Sequence, residues 1–152
     1  MELLLWRHAD AEPGYPDSGR RLTDRGREQA SFTARWLGER LPAHYRLIVS
    51  PAVRAQQTAE ALDKRGAETE PRVGVGARAS DVLKAAGWGR DSGGREPDTV
   101  IVVGHQPTLG QVASLLLSGT ESDWQIKKSA VWWFCEREGT IRLRAVLDPK
   151  LG

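Results

Sequence analysis

Three short apolar runs, each followed by a helical pattern, constrain the fold of this chain more than any other feature. The runs cover residues 2–6, 46–50 and 99–104, and the last, "TVIVVG", is rich in β-branched residues. Runs of this length without polar alternation are typical of strands that are buried on both faces. Strands that alternate with helices form a largely parallel sheet. The sequence therefore predicts an α/β fold with three layers, α/β/α, and a mostly parallel central sheet.

The first two helical patterns have recognisable ends. Thr23 predicts the N-cap of a helix that runs to about Leu41. Ser50 predicts the cap of a second helix, with Pro51 in the first helical position. We expect this second helix to end shortly before Gly66, because glycine favours helix termination.

The remaining elements follow from the same kind of pattern. They are a short strand near Val73, helices over 78–87 and 107–118, and strands over 129–137 and 140–147. Glu138-Gly139 separates the last two strands and indicates a hairpin, so the C-terminal strands are predicted to be antiparallel. The glycine-rich stretch 87–98 predicts a mobile loop.

Composition excludes several classes of protein. The chain has 152 residues, which predicts a single domain over 1–152, and its net charge of +2 is too small to indicate a nucleic-acid partner. Its one cysteine, Cys135, allows neither an internal disulfide nor a cysteine metal cluster and favours the cytoplasm. The apolar run at the N-terminus is too short for a signal peptide or a membrane span. We expect a cytoplasmic monomer without a membrane or nucleic-acid partner.

Cationic and imidazole side chains follow each of the three apolar runs that predict buried strands. Arg7 and His8 follow the first, Arg54 lies just after the second, and His105 follows the third. Each of them alone is more typical of a solvated strand end, a surface arginine or a loop histidine. However, the carboxyl ends of parallel strands meet at one edge of the sheet. Arg54 is also unfavourable in the first turn of a helix unless an anion lies there. Together these residues predict a site for a dianionic phosphoryl group.

Four segments resemble, in order and spacing, the histidine phosphatase superfamily. They are "LLLWRHADAE" from residue 3, "RRLTDRG" from residue 20, "IVSPAVRAQQTAE" from residue 48 and "VIVVGHQPTLG" from residue 100. The short chain and the R-x-L-T-x-x-G element are most similar to the SixA-type phosphohistidine phosphatases, and so is the closing "AVLDPKLG". The resemblance covers residues 3 to about 117 and implies a phosphoglycerate-mutase-like fold.

The resemblance also implies roles for the strand-end residues. His8 is the implied nucleophile, which takes the phosphoryl group from the substrate and passes it to water. Its other ring nitrogen must then donate a hydrogen bond, and a backbone carbonyl is the expected acceptor. Arg7 and Arg54 hold the phosphoryl oxygens, and His105 adds a third donor, with extra strength if its ring is protonated. Arg20, from the R-x-L-T element, is expected to reach the same pocket.

Two further residues are expected to contact the substrate because they follow the histidines directly. These are Gln106 and Ala9, and Ala9 stands where the superfamily has glycine. Alanine is tolerated there if its φ is negative. We expect no cofactor and no metal, because the histidines lack metal-ligand spacing and two arginines would repel a cation.

The leaving group decides between the possible substrates. A phosphomonoester needs a general acid, for which Asp10 and Asp81 are the candidates. Phosphohistidine needs none, because its imidazole can leave neutral. The favoured hypothesis is therefore a phosphatase for phosphohistidine on a protein, and the first alternative is an enzyme that hydrolyses small phosphomonoesters.

Two further alternatives lie in other classes of function. A phosphate-binding module without turnover would keep the same four pocket residues. A dinucleotide-binding oxidoreductase is suggested by G-x-G-x-x-A within residues 73–79, although no firm strand precedes this motif.

Overall fold

The computed structural model describes residues 1–90 and 98–152, and it confirms the predicted α/β class. The described residues contain six strands: β1 Glu2–Arg7, β2 Arg46–Val49, β3 Ala67–Thr69, β4 Thr99–Gly104, β5 Val131–Arg137 and β6 Thr140–Leu147. They also contain four α-helices: α1 Asp24–Gly38, α2 Val53–Glu60, α3 Ala79–Ala86 and α4 Thr108–Ser118. The stretch predicted as a mobile loop, 87–98, lies largely outside the described residues.

All six strands belong to one sheet in the order β3-β2-β4-β1-β5-β6. The first four strands of this order pair in parallel. Strand β5 pairs antiparallel with β1 on one side and with β6 on the other, and the hairpin signal predicted the pairing of β5 with β6. Glu138 and Gly139 form the turn with positive φ angles of 52° and 80°. The sheet is therefore mostly parallel with an antiparallel edge.

Helices cover both faces of the sheet, which gives the three predicted layers. Alternate residues of β1 point to opposite faces: Leu3 and Leu5 pack with α3 and α4, whereas Leu4 and Trp6 pack with α1 and α2. The whole of β4 is buried. Within the described ranges, no helix has the length and apolar character needed to cross a bilayer.

The structure corrects several predicted boundaries. Ser50 is not the cap of the second helix, because α2 begins three residues later and its N-cap position, Ala52, makes no side-chain capping bond. The helix ends at Glu60 rather than near Gly66, whose backbone N–H instead donates to Asp63 in a turn. The first helix ends at Gly38, three residues before the predicted Leu41.

The segment before the glycine motif is also different from the prediction. The short strand lies over Ala67–Thr69, and Val73 belongs to a 3₁₀ turn over Pro71–Val73. The motif at 73–79 therefore follows a turn rather than a strand, which is the wrong context for a dinucleotide-binding loop.

Candidate active site

The register of the central strands brings the two predicted histidines together. Arg7 of β1 lies opposite Gly104 of β4, and the next residue of each strand is a histidine. The backbone N–H of His8 donates to the carbonyl of Gly104 at 3.1 Å. The imidazole centroids of His8 and His105 lie 5.2 Å apart. The two rings therefore share one pocket at the carboxyl edge of the sheet.

His8 is oriented by a backbone hydrogen bond, as the sequence predicted. Its Nδ1 lies 2.8 Å from the carbonyl oxygen of Ala9, which can only accept, so the proton is on Nδ1 and the lone pair is on Nε2. Ala9 has no positive φ and is held in turn by Thr58, whose Oγ1 accepts its N–H. Burial, with smaller contributions from nearby groups that include Arg54 and Arg7, lowers the pKa of His8 to about 3, although the hydrogen bond to Ala9 raises it. The ring is therefore neutral near pH 7.

His105 is oriented by the side chain of Ser50. The Ser50 Oγ accepts the N–H of Ala52 at 3.2 Å and lies 2.7 Å from Nε2 of His105. We assign the hydroxyl proton to this second bond, which places the imidazole proton on Nδ1. Burial, together with the charges of Arg54 and Arg7, lowers the pKa of His105 to about 4, although Asp17 raises it. In the ligand-free protein His105 is thus a neutral donor through Nδ1 rather than a protonated ring.

Three buried donors in this pocket have no partner. Across residues 1–90 and 98–152, the only buried side-chain nitrogen or oxygen atoms without a hydrogen bond are Arg7 Nε, Arg54 Nε and His105 Nδ1. Unpaired buried polar groups are costly and rare, so a group of three is expected to face a ligand. An anion with several oxygens fits three N–H donors. Arg7, Arg54 and His105 therefore present three unpartnered N–H donors beside His8, an arrangement that can bind an oxyanion.

Asp17 borders this site through contacts with two arginines, which were not predicted from the sequence. Arg54 donates from its two terminal nitrogens to the carbonyl and to Oδ2 of Asp17, at 2.9 and 3.1 Å. Arg20 donates to the other carboxylate oxygen of Asp17, at 3.1 Å. Hydrogen bonds from Arg20 and Arg54 hold the pKa of Asp17 below its usual range. The carboxylate therefore links the two arginines and leaves Nε of Arg54 free for a ligand.

The structure places Arg20 at the edge of the site rather than against the histidines. Its Nε donates to the carbonyl of Glu12, and its described contact with the pocket runs through Asp17. The spacing of an acid three residues before Arg20 was the signal that could have indicated this ion pair.

Neither candidate proton donor is placed for that role. Asp10 pairs with Lys128 at 2.7 Å and accepts from the Thr23 hydroxyl at 2.8 Å. These two hydrogen bonds keep the pKa of Asp10 below its usual range, so it remains ionised. Asp81 accepts the backbone N–H of Arg78 at the beginning of α3. Both carboxylates therefore accept structural hydrogen bonds in this fold, and a donor role for either stays a prediction that these contacts do not support.

Gln106 is also committed to the backbone rather than to the pocket. Its amide nitrogen donates to the carbonyl of Trp124 and its amide oxygen accepts from Gly110, both at 2.8 Å. It anchors the start of α4 instead of contacting a substrate.

Other supporting residues were missed because each acts through the backbone. Thr58 donates to the carbonyl of Arg54 at 2.7 Å while it holds Ala9, so it connects α2 to the nucleophile loop. Thr58 lies among the buried alanines of this helix, and a threonine in that position was the sequence feature that could have indicated a buried hydrogen bond. Gly26 packs so closely against the loop that a Cβ would overlap the Asp10 carbonyl oxygen. This contact explains the glycine of the "RRLTDRG" segment.

The fold and the pocket define a phosphatase that works without a metal ion, and the comparisons agree. The family profile described as histidine phosphatase superfamily (branch 1) matches residues 3–74. An uncharacterised protein from Picosynechococcus sp. is 32% identical over 157 residues, which cover 99% of this chain and 93% of that protein. The chain belongs to the histidine phosphatase superfamily.

Within the superfamily, the chain falls in the SixA-type branch. The phosphohistidine phosphatase SixA of Escherichia coli is 28% identical over 125 residues, 78% of this chain and 76% of that protein. The structure of the protein histidine phosphatase SixA complexed with tungstate superposes with a TM-score of 0.79 at 25% identity, covering 99% of both chains.

Proposed function

We propose that this chain removes the phosphoryl group from phosphohistidine on a protein, through a covalent intermediate on Nε2 of His8. The orientation of His8 supports this role, because Nδ1 is tied to the Ala9 carbonyl and the lone pair of Nε2 is free to attack. The unpartnered donors of Arg7, Arg54 and His105 supply the charge stabilisation that phosphoryl transfer requires.

The protonation state of the carboxylates near the site favours one class of substrate. Within the described part of the chain, Asp10 and Asp17 border the site, and both have lowered pKa values and cationic partners. His105 is neutral near pH 7 because its pKa is about 4. None of these groups holds a proton acidic enough to protonate an alkoxide as it leaves. The site therefore favours a leaving group that departs without a general acid, and the imidazole of phosphohistidine is such a group.

The two steps balance without an added acid. In the first, Nε2 of His8 forms a bond to phosphorus while the bond from phosphorus to the substrate imidazole breaks. That imidazole keeps the electron pair and leaves neutral, because its other nitrogen already carries a proton. In the second, water attacks phosphorus, the bond to Nε2 breaks, and the protons of the water remain on inorganic phosphate. His8 regains its lone pair with Nδ1 still protonated.

Phosphate release from a histidine-phosphorylated protein tests the proposal. We expect His8→Ala to lose all turnover and His44→Ala, which changes an exposed histidine, to retain it. We also expect the wild type to form an acid-labile phosphoenzyme, because phosphohistidine is unstable in acid.

A comparison of leaving groups separates the alternatives. We expect phosphohistidine protein to be turned over far faster than phenyl phosphate or glycerol phosphate. Turnover of the monoesters without turnover of phosphohistidine protein would replace this proposal with a small-molecule phosphomonoesterase. Equal activity of wild type and His8→Ala would refute the nucleophile.

A further inference from the structure

A basic cleft opens beside the candidate active site and shares one residue with it. The cleft has a volume of about 260 Å³, and Arg7 forms part of its wall. Its cationic side chains are Arg7, Arg25, Lys127, Lys128 and Lys150.

Charge is concentrated in this cleft. With five cationic side chains and two carboxylates, Asp10 and Asp148, its lining has a formal charge of +3, whereas the whole chain has +2.

Besides Arg7, three of the cations have no carboxylate partner among the described residues. Lys128 is paired with Asp10. In contrast, no ion pair within the described ranges includes Arg25, Lys127 or Lys150, which are all exposed. They come from three separate segments: the first turn of α1, the connection from α4 to β5, and the C-terminal 3₁₀ turn. Like charges that converge from separate segments repel one another, and an anionic partner would reverse this cost.

We propose that this cleft binds an acidic segment of the phosphoprotein substrate, next to its phosphohistidine. The inference rests on the proposed function for the nature of the substrate. Because Arg7 belongs to both sites, a chain with its phosphoryl group at His8 has the cleft within reach of its neighbouring residues. Gln125 and Gln29 also line the cleft; the Gln125 amide and the amide nitrogen of Gln29, whose oxygen already accepts the Asp10 N–H, can bind a peptide backbone.

The lining favours an acidic protein segment over a nucleic acid. Single-stranded nucleic acids are bound by basic grooves in which aromatic side chains stack on the bases. None of the nine residues that line this cleft is aromatic. Carboxylate side chains need only the cations and amides that the cleft provides.

Two peptides of equal length, each with one phosphohistidine, test the proposal. Glutamates flank the phosphohistidine in one peptide and glutamines flank it in the other. We expect kcat/KM to be about tenfold higher for the glutamate peptide, because three exposed charge pairs each contribute a modest gain. The triple variant Arg25→Glu, Lys127→Glu, Lys150→Glu is expected to abolish this preference. Turnover of N-phosphoimidazole, which cannot reach the cleft, is expected to stay unchanged.

A matched variant controls for net charge. Lys64→Glu, Lys84→Glu, Arg142→Glu makes the same change at exposed positions outside the cleft, and it should keep the preference. If the two peptides are turned over equally while N-phosphoimidazole is turned over normally, the docking inference is wrong and the proposed function stands. If neither peptide nor N-phosphoimidazole is turned over, the proposed function is wrong.

Binding without turnover provides an independent measurement of the cleft. Fluorescence anisotropy of the unphosphorylated glutamate peptide is expected to show salt-sensitive binding to the wild type and about tenfold weaker binding to the triple variant. Equal affinity for the two proteins would overturn the inference, whatever the enzyme does to phosphohistidine. Tighter binding of a single-stranded RNA of the same length would also overturn it, in favour of a nucleic-acid site.

Discussion

The replacement Ser50→Ala tests whether the tautomer of His105 is set by the protein. Ser50 is fully buried, and its hydroxyl lies 2.7 Å from Nε2 of His105. Without this hydroxyl, no hydrogen bond among the described residues holds the imidazole proton on Nδ1. When the proton moves to Nε2, the ring presents a lone pair instead of a donor to the phosphoryl oxygen.

The expected decrease in kcat corresponds to the loss of one hydrogen bond from His105 to the phosphoryl group. A hydrogen bond to a charged group contributes about 1.5–3 kcal/mol. Because the Nδ1 tautomer of His105 stays partly populated in the variant, we expect the lower end, about 1.5 kcal/mol, which is roughly a tenfold decrease in kcat. The buried N–H of Ala52 also loses its acceptor, so the free energy of unfolding should fall by about 1–3 kcal/mol.

Steady-state phosphate release measures the effect, with Ser114→Ala as the control. Ser114 is equally buried but lies in α4 and bonds to the carbonyl of Thr120, so its loss should lower stability without a tenfold loss of kcat. The double variant Ser50→Ala, His105→Ala should be no slower than His105→Ala alone, because Ser50 acts through His105. A kcat for Ser50→Ala within twofold of wild type, or additive losses in the double variant, would refute the tautomer assignment.

Three further changes test the charges and the packing of the site. Asp17→Asn removes an anion from the pocket arginines, so inorganic phosphate should inhibit about two- to fivefold more strongly, as measured by its inhibition constant. His8 and His105 have folded pKa values of about 3 and about 4, below the 6.5 of an unperturbed histidine. The unfolded chain therefore binds more protons below pH 6.5, and stability should fall by about 1 kcal/mol per histidine per pH unit from there toward pH 4. Thermal unfolding between pH 7 and 5 should show a flatter decrease for His8→Asn, His105→Asn, and a decrease as steep as that of the wild type would contradict these pKa values. Gly26→Ala places a Cβ against the Asp10 carbonyl, so it should lower the melting temperature and the turnover together. Gly38→Ala has open space around it at the end of α1 and should lower neither, because alanine favours a helix more than glycine does.

The sequence predicted the parts of the fold that local patterns determine. The residues of β4 were predicted without error because an uninterrupted β-branched run has few alternatives to a buried strand. The prediction that strand ends meet followed from the general geometry of parallel sheets. The structure confirms this prediction in the register of Arg7 with Gly104, which places the next residue of each strand in one pocket.

The contacts that orient the site could not be predicted because they join distant parts of the chain. Ser50 has the local features of a helix cap, and only the approach of His105, 55 residues later, gives its hydroxyl another partner. Asp17 lies in a loop whose prolines and glycines carry no periodic pattern, and its contact with Arg54 spans 37 residues. In both cases the competing partner is tertiary, and tertiary contacts override local preferences.

The arginines explain why the two imidazoles can act in neutral form. Arg7 and Arg54 lower the pKa of both histidines beyond the effect of burial. A protonated His8 would have no lone pair for attack, so burial and the positive charge of the pocket together keep the proposed nucleophile unprotonated near pH 7. The same charge favours the dianionic phosphoryl group, which has to approach that lone pair. The half-buried Arg7 and the buried Arg54 therefore contribute to two requirements of the proposed reaction, an unprotonated nucleophile and a bound dianion. It follows that replacing either arginine should raise the pH at which activity is lost on the acidic side as well as weaken phosphate binding.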